Sequence, residues 1–185
     1  MNKQIILASA SPRRSDILKT CGFQFDLIVP KVDESQIKST SPSKLVCDLA
    51  KLKANAIDIN ENQIVISADT VVALDGVIYG KPKDEKEAFD ILKSLSNKTH
   101  KVFTGVCLKT TSEIKVFYVE STIVFYELSD KEILDYIKTG EPMDKAGAYG
   151  IQGKGGLLVK EVHGDYFNIV GLPVARLNRE LQSLL

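Results

Sequence analysis

Short apolar runs that end at turn residues alternate along this chain with stretches in which apolar residues recur every three or four positions. Runs of the first kind are typical of buried strands, and stretches of the second kind indicate helices with one buried face. The strands predicted in this way cover residues 5–7, 25–29, 64–68, 71–74, 77–79, 101–109, 114–126 and 157–162. The alternation predicts one α/β domain with a mixed sheet.

Capping or acidic residues mark the starts of the predicted helices. Ser11 suits the cap of a helix, and Pro12 suits its first position, where the N–H that proline lacks would have no partner. Residues 84–95 are predicted as a helix with an acidic start, and Ser129 with Glu132 forms a capping box that opens a helix to about residue 139. Two more helices are predicted, over residues 42–56 and 172–184.

The helix predicted over residues 42–56 carries two lysines that bear on function. Apolar residues fall on one of its faces, at Leu45, Leu49, Leu52 and Ala56. Lys51 and Lys53 then lie near opposite edges of that stripe, where a long side chain can reach past the core to an anion. The alternative is that both lysines are solvated.

Composition excludes several classes of protein. Lys+Arg and Asp+Glu each number 24 in 185 residues, so the net charge is zero, which disfavours a general nucleic-acid binder. Three widely spaced cysteines and two histidines favour neither a disulfide framework nor a zinc site. The apolar run near the start is too short for a signal peptide, and no run approaches the ~18 residues that span a bilayer. We therefore expect a cytoplasmic protein without a membrane segment.

The richest candidate chemistry follows the first predicted strand. Ser9, Ser11, Arg13 and Arg14 lie in a turn between this strand and the helix that Pro12 begins. A helix start presents free backbone N–H groups and the positive end of the helix dipole, and arginine adds bidentate donors. The segment predicts a phosphate site, against the alternative of a common capped turn with solvated arginines.

Three acidic residues, at two places along the chain, are candidates for metal binding or general-base chemistry. Asp69 directly follows the apolar run 64–68, and we predict that it ends a strand, a recurrent site position in α/β sheets. Asp33 and Glu34 follow the second predicted strand and could supply a second oxygen ligand for a divalent ion. A strand-ending aspartate and a solvated loop are the alternatives.

Two glycine-containing segments complete the set of candidates. Lys81, after Gly80, could contact phosphate as a point charge. Gln152 lies in the glycine-rich stretch 145–156, and its amide could read a base because it both donates and accepts hydrogen bonds. This stretch lacks the G-x-x-x-x-G-K-[ST] spacing and precedes a strand, which excludes a P-loop NTPase.

Together these segments resemble one known family, the Maf proteins, which are nucleoside triphosphate pyrophosphatases. The matching motifs occur in order from Leu7 to about Pro173. They are Ser9-Ala10-Ser11-Pro12-Arg13-Arg14, Val32-Asp33-Glu34, Ala50-Lys51-Leu52-Lys53-Ala54, Ala68-Asp69-Thr70, Gly80-Lys81-Pro82, Thr104-Gly105-Val106 and the run from Asp144 to Gly153.

The resemblance implies a fold like that of inosine triphosphate pyrophosphatases, with an elongated mixed sheet flanked by helices and two lobes around a deep cleft. It implies cleavage of a nucleoside triphosphate to the monophosphate and pyrophosphate, with Mg²⁺ or a similar ion such as Mn²⁺ or Co²⁺. Asp69 matches the proton acceptor of the family. Arg13, Thr70 and Gln152 match the residues that mark the dTTP/UTP subgroup. A homodimer and a link to cell division are further implications.

The resulting hypothesis assigns a role to each candidate. Ser9, Ser11, Arg13, Arg14, Lys51 and Lys53 bind the substrate phosphates, Thr70 and Gln152 read the pyrimidine, Glu34 and Asp69 hold the metal, and Asp69, Glu34 and Lys81 form the catalytic set. The competing hypothesis is a nucleotide-sensing regulator of septum formation that catalyses little. The acidic residues argue against it, because a pure anion site gains nothing from carboxylates.

Overall fold

The computed structural model describes residues 3–184 and contains one mixed sheet. Its strands are β1 (Gln4–Ala8), β2 (Phe25–Ile28), β3 (Gln63–Leu74), β4 (Val77–Tyr79), β5 (Thr99–Lys109), β6 (Ile114–Phe125) and β7 (Val159–His163). They are ordered β2-β1-β3-β5-β6-β7, and β4 pairs with β3. β1 is parallel to β2 and β3, whereas β4 and β7 are antiparallel to their neighbours β3 and β6. The predicted α/β class with a mixed sheet is confirmed.

Six α-helices lie within the described residues: α1 (Pro12–Thr20), α2 (Pro42–Asn55), α3 (Glu85–Leu95), α4 (Asp130–Ile137), α5 (Tyr166–Val170) and α6 (Val174–Gln182). Short 3-10 helices cover Glu34–Gln36, Glu141–Asp144, Ala146–Ala148 and Lys154–Leu158. The predicted capping box of Ser129 with Glu132 is confirmed. Asp84, predicted as the acidic first residue of its helix, is instead the cap of α3, and its side chain accepts a hydrogen bond from the amide of Glu87.

The last third of the chain departs from the predicted boundaries. β7 begins at Val159, because residues 154–158 form a 3-10 helix instead of the start of a strand. The helix predicted over 172–184 is shorter and covers Val174–Gln182. The short helix α5, which precedes it, was not predicted. Asp165 explains α5, since its Oδ1 accepts from the amides of Phe167 and Asn168 and so closes the first turn.

The buried face predicted for α2 is largely wrong, since Leu49 alone of its four predicted residues is buried. Val46, Leu49, Ala50 and Ala54 are its buried residues, whereas Leu45 and Leu52 are half-buried and Ala56 is exposed. A Cβ at Gly105 of β5 would overlap the backbone of Val46, so helix and strand backbones are in direct contact there. Such an approach favours small residues on the contacting face, and apolar periodicity alone could not show this.

The chain divides into two compact units. The first unit comprises the described residues up to 70, residues 104–119 and those from 171 onward, and the second comprises residues 71–103 and 120–170. In the first unit Ile6, Ala8, Val65 and Cys107 form a core with α2. In the second, apolar residues of α3 and α4 pack with Ile123 and Phe125. That the whole chain is one domain stays a prediction. None of the described helices is long and apolar enough to cross a membrane.

Candidate active site

The candidate residues of the first unit share one edge of its parallel strands. In the register of the sheet, Ala8 at the end of β1 pairs with Ile28 of β2 and with Ser67 of β3. The turn 9–14 follows β1, Glu34 follows β2, and Asp69 and Thr70 lie just beyond Ser67 along β3. Ligands of α/β proteins bind outside the carboxyl ends of parallel strands, so this edge is where a site is expected.

Asp69 does not end a strand, contrary to the prediction. β3 continues through Asp69 and Thr70 to Leu74 as one strand of 12 residues. Its parallel partner β1 stops at Ala8, however, so Asp69 lies two residues beyond the last residue that β1 pairs. The pairing of β3 with β1 ends at Ser67, close to residue 68, where the sequence predicted that the strand itself would end.

Lys53 joins the two candidate carboxylates. Its Nζ lies 2.5 Å from Oδ1 of Asp69 and 3.0 Å from Oε1 of Glu34. The side chains of Lys53 and Asp69 are 13% and 14% exposed, and that of Glu34 is 50% exposed. Lys51 lies two residues before Lys53, so its side chain is rotated by about 200° around the helix axis from that of Lys53, and it is exposed. The two lysines of the motif therefore have different surroundings.

Asp33 and Glu34 also divide their roles. The side chain of Asp33 accepts hydrogen bonds from Ser35 and Gln36 and caps the 3-10 helix that Glu34 begins. The hydrogen bonds from Ser35 and then Gln36 lower the pKa of Asp33. Asp33 thus shapes the turn, while Glu34 reaches Lys53.

Arg14 is tied into the protein at three points. Its Nε donates to the carbonyl oxygen of Gly171 at 2.8 Å, Nη1 to Oγ of Ser9 at 3.3 Å, and Nη2 to Oγ1 of Thr70 at 3.2 Å. Burial lowers the pKa of Arg14 from its ordinary value, and the nearby carboxylate of Asp69 opposes this effect. The guanidinium therefore orients Ser9 and Thr70 besides carrying positive charge.

The start of α1 is organised by Ser9 rather than by Ser11. Ser11 occupies the cap position and Pro12 the start of the helix, as predicted, but the Ser11 side chain makes no capping hydrogen bond. Instead Oγ of Ser9, which is buried, accepts the amide of Ser11 at 3.1 Å. Arg13 is half-buried in the first turn of this helix.

Sequence reasoning missed two residues that contact this group. Thr104 of β5 is buried, and its Oγ1 lies 2.9 Å from Oγ1 of Thr70. Gly171 supplies the carbonyl oxygen that Arg14 contacts. A signal existed for Thr104, which belongs to one of the motifs shared with the Maf family, whereas a backbone carbonyl leaves no trace in residue type.

Lys81 and Gln152 belong to the second unit. Lys81 is exposed just after β4, where the carbonyl of Gly80 accepts the amide of Gly147 at 3.0 Å. Gln152 is exposed in the turn between Gly150 and Gly153. Their predicted roles in catalysis and base recognition stay predictions.

The carboxylates of the first unit fit a divalent ion. Glu34 and Asp69 contact the same ammonium and are therefore close together, and Mg²⁺ prefers such oxygen ligands. No group of three or more acidic, histidine or cysteine residues within residues 3–184 could hold a metal ion. Mg²⁺ is commonly bound by one or two carboxylates together with substrate phosphates, so two carboxylates suffice.

Comparison with known proteins finds relatives over nearly the whole chain. The family profile described as "Maf-like protein" matches residues 4–184. A dTTP/UTP pyrophosphatase of Bacillus pumilus (strain SAFR-032) is 48% identical over 97% of this chain and 96% of its own length. A dTTP/UTP pyrophosphatase of Bacillus cytotoxicus is 48% identical over 98% of this chain and 95% of its own.

One solved structure supports the fold. A HAM1 protein from Coxiella burnetii has a TM-score of 0.51 and 12% identity, covering 98% of this chain and 99% of that one. At this identity the likeness concerns architecture alone. From the match over nearly its whole length, with relatives far above chance identity, the chain belongs to the Maf family.

Proposed function

We propose that this protein hydrolyses dTTP and UTP to the nucleoside monophosphate and pyrophosphate. The expected enzyme class, a nucleoside triphosphate pyrophosphatase, is confirmed by the name that the curated relatives share. The observation that carries the chemical proposal is the contact of Lys53 with both Asp69 and Glu34 at the carboxyl edge of the parallel strands.

Asp69 acts as the general base in this proposal. Its carboxylate is held in place by Lys53 at 2.5 Å and is largely shielded from solvent. It accepts a proton from a water molecule, whose oxygen attacks the α-phosphorus of the nucleotide. The bond from this phosphorus to the oxygen that bridges to the β-phosphorus breaks, and pyrophosphate leaves with the bonding electrons.

Basic side chains bind the triphosphate in this scheme. The start of α1 offers backbone N–H groups close to Ser9, Ser11 and Arg13. Arg14 engages three of its five N–H donors with the protein, so it adds charge while holding Thr70 in place. Lys51, Lys53 and Lys81 add further positive charge.

A divalent ion, Mg²⁺ or a similar ion such as Mn²⁺ or Co²⁺, is part of the proposal. Glu34 and Asp69 are the residues that would hold it. Such an ion, when bound, neutralises charge on phosphate oxygens. Lys53 keeps the two carboxylates together, so their positions do not depend on the ion.

Preference for dTTP and UTP is assigned to Arg13, Thr70 and Gln152. The hydroxyl of Thr70 is oriented by Arg14 and Thr104. A hydroxyl or amide group placed in this way can match the donors and acceptors of a pyrimidine. A cytoplasmic homodimer with a link to cell division completes the proposal.

Pyrophosphate release from purified protein tests this function. We expect turnover of dTTP and UTP that EDTA abolishes, and a fall of about two orders of magnitude or more in kcat for Asp69→Asn. Asp48→Asn is the matched control, because Asp48 pairs with exposed Lys44 on α2 and should leave kcat unchanged. Tight nucleotide binding without turnover would contradict the proposal and favour the sensor.

A further inference from the structure

The glycine-rich stretch of the second unit folds around one carboxylate, that of Glu141. Tyr136 donates its hydroxyl hydrogen to Oε1 of Glu141 at 2.9 Å. The amide of Lys154 donates to Oε2 at 3.0 Å, and the amide of Gly155 donates to Oε1 at 3.2 Å. The hydroxyl of Tyr136 in turn accepts the amide of Gly150 at 3.1 Å. The backbone is thus held on both sides of Gln152, which is itself exposed.

The glycines of this stretch are required by the same contacts. A Cβ at Gly153 would overlap the carboxylate of Glu141. A Cβ at Gly155 would lie 2.6 Å from the hydroxyl oxygen of Tyr136. The backbone can reach the carboxylate and the phenol only because these positions lack side chains.

The protonation states suit these hydrogen bonds. Burial acts to raise the pKa of Glu141, but hydrogen bonds from Gly155, Lys154 and Tyr136 outweigh it and lower this pKa. Burial raises the pKa of Tyr136, so its hydroxyl stays protonated and can donate. Lys145 also reaches this segment, donating to the backbone carbonyl of Glu141 at 2.9 Å.

We propose that Glu141 is a positioning residue for substrate selection: it anchors the backbone of residues 150–155 and thereby fixes where Gln152 presents its amide. This inference rests on the proposed function of Gln152 as the reader of the pyrimidine. An exposed side chain has no packing of its own to orient it, so its placement depends on the backbone beneath it. Glu141 acts through that backbone and does not touch the substrate.

Glu141→Gln is the variant that tests this role. Glutamine keeps the size of the side chain but turns one acceptor oxygen into an NH₂ group, which would face an amide or hydroxyl donor. We expect the ratio of kcat/KM for dTTP to that for CTP to fall about tenfold, mainly through KM. The matched control is Glu127→Gln, an exposed residue of the same unit, which should leave this ratio unchanged.

A second background separates positioning from general damage. In Gln152→Ala, adding Glu141→Gln should change the selectivity ratio by less than twofold, because the group that it positions is already gone. An equal tenfold loss in both backgrounds would overturn the proposal. A selectivity ratio that stays within twofold of wild type in folded Glu141→Gln would overturn it as well.

Amide hydrogen exchange gives a readout that needs no activity. We expect faster exchange of residues 150–155 in Glu141→Gln, and a smaller change in the same direction in Tyr136→Phe, which removes only the hydroxyl. Unchanged exchange would overturn the anchoring by Glu141. An unchanged selectivity ratio in Gln152→Ala alone would instead refute the proposed role of Gln152, so the two failures are distinguishable.

Discussion

Replacing Lys53 by methionine tests whether the site depends on one shared ammonium. The substitution keeps most of the side-chain volume but leaves Asp69 and Glu34 as neighbouring negative charges. Removing one partner of a fully buried ion pair costs about 3–5 kcal/mol, whereas an exposed pair is worth only about 0.2–1 kcal/mol. Lys53 and Asp69 are 13% and 14% exposed, but Glu34 is 50% exposed and can be solvated. We therefore expect a loss of about 2 kcal/mol in the free energy of unfolding.

Urea unfolding followed by circular dichroism measures this loss. Lys44→Met is the matched control, because Lys44 lies on the same helix and also contacts an aspartate, Asp48, at 2.5 Å. The side chains of Lys44 and Asp48 are 66% and 35% exposed, so we expect a loss of at most about 0.5 kcal/mol. Equal losses in the two variants would refute the reasoning.

The same variant in a second background identifies the cause. In Asp69→Asn the uncompensated charge is removed, so adding Lys53→Met should cost less than half of its effect in the wild-type protein. Full additivity would show that Lys53 contributes through packing alone.

The remaining predictions concern the core. Burial lowers the pKa of His100 to about 4 from 6.5, so the unfolded state binds more protons between these values, and stability should fall as pH drops from about 6.5 towards 4. We expect His100→Gln to flatten this slope in urea unfolding at pH 7 and pH 5, and His163→Gln, at the exposed histidine, to leave it unchanged. Gly105→Ala should cost several kcal/mol, since a Cβ would overlap the backbone of α2, whereas Gly80→Ala meets open space and should cost about 1 kcal/mol or less. A similar unfolding midpoint for the two alanine variants would contradict the close contact.

Local chemistry was enough to locate most elements. The capping box of Ser129 is made with Glu132, three positions away, so it could be recognised in the sequence. Misplaced boundaries have a different origin. α5 depends on Asp165, and the 3-10 helix before β7 begins with Lys154 and Gly155, whose amides donate to Glu141, 13 and 14 residues earlier. Turn-forming residues alone did not reveal these contacts.

The sequence predicted which residues belong to the candidate site, but not which of them contact one another. Residue types and the resemblance to Maf proteins identified Arg14, Lys53 and Asp69 as site candidates. That Lys53 and not Lys51 meets Asp69 depends on which face of α2 contacts β5, and Gly105 decides this by admitting the helix backbone. Periodicity favoured the larger leucines and so gave the wrong face.

The sequence by itself determined the order of the strands and of every α-helix except α5, and the family to which the chain belongs, because these depend on neighbouring residues and on motifs. Only the tertiary structure decided that Arg14 contacts Gly171, 157 residues away, and that Lys53 is shared by Glu34 and Asp69. Contacts between distant residues depend on strand register and on how closely the backbones pack. A shift of one residue in strand register would turn the same side chains to the opposite face of the sheet.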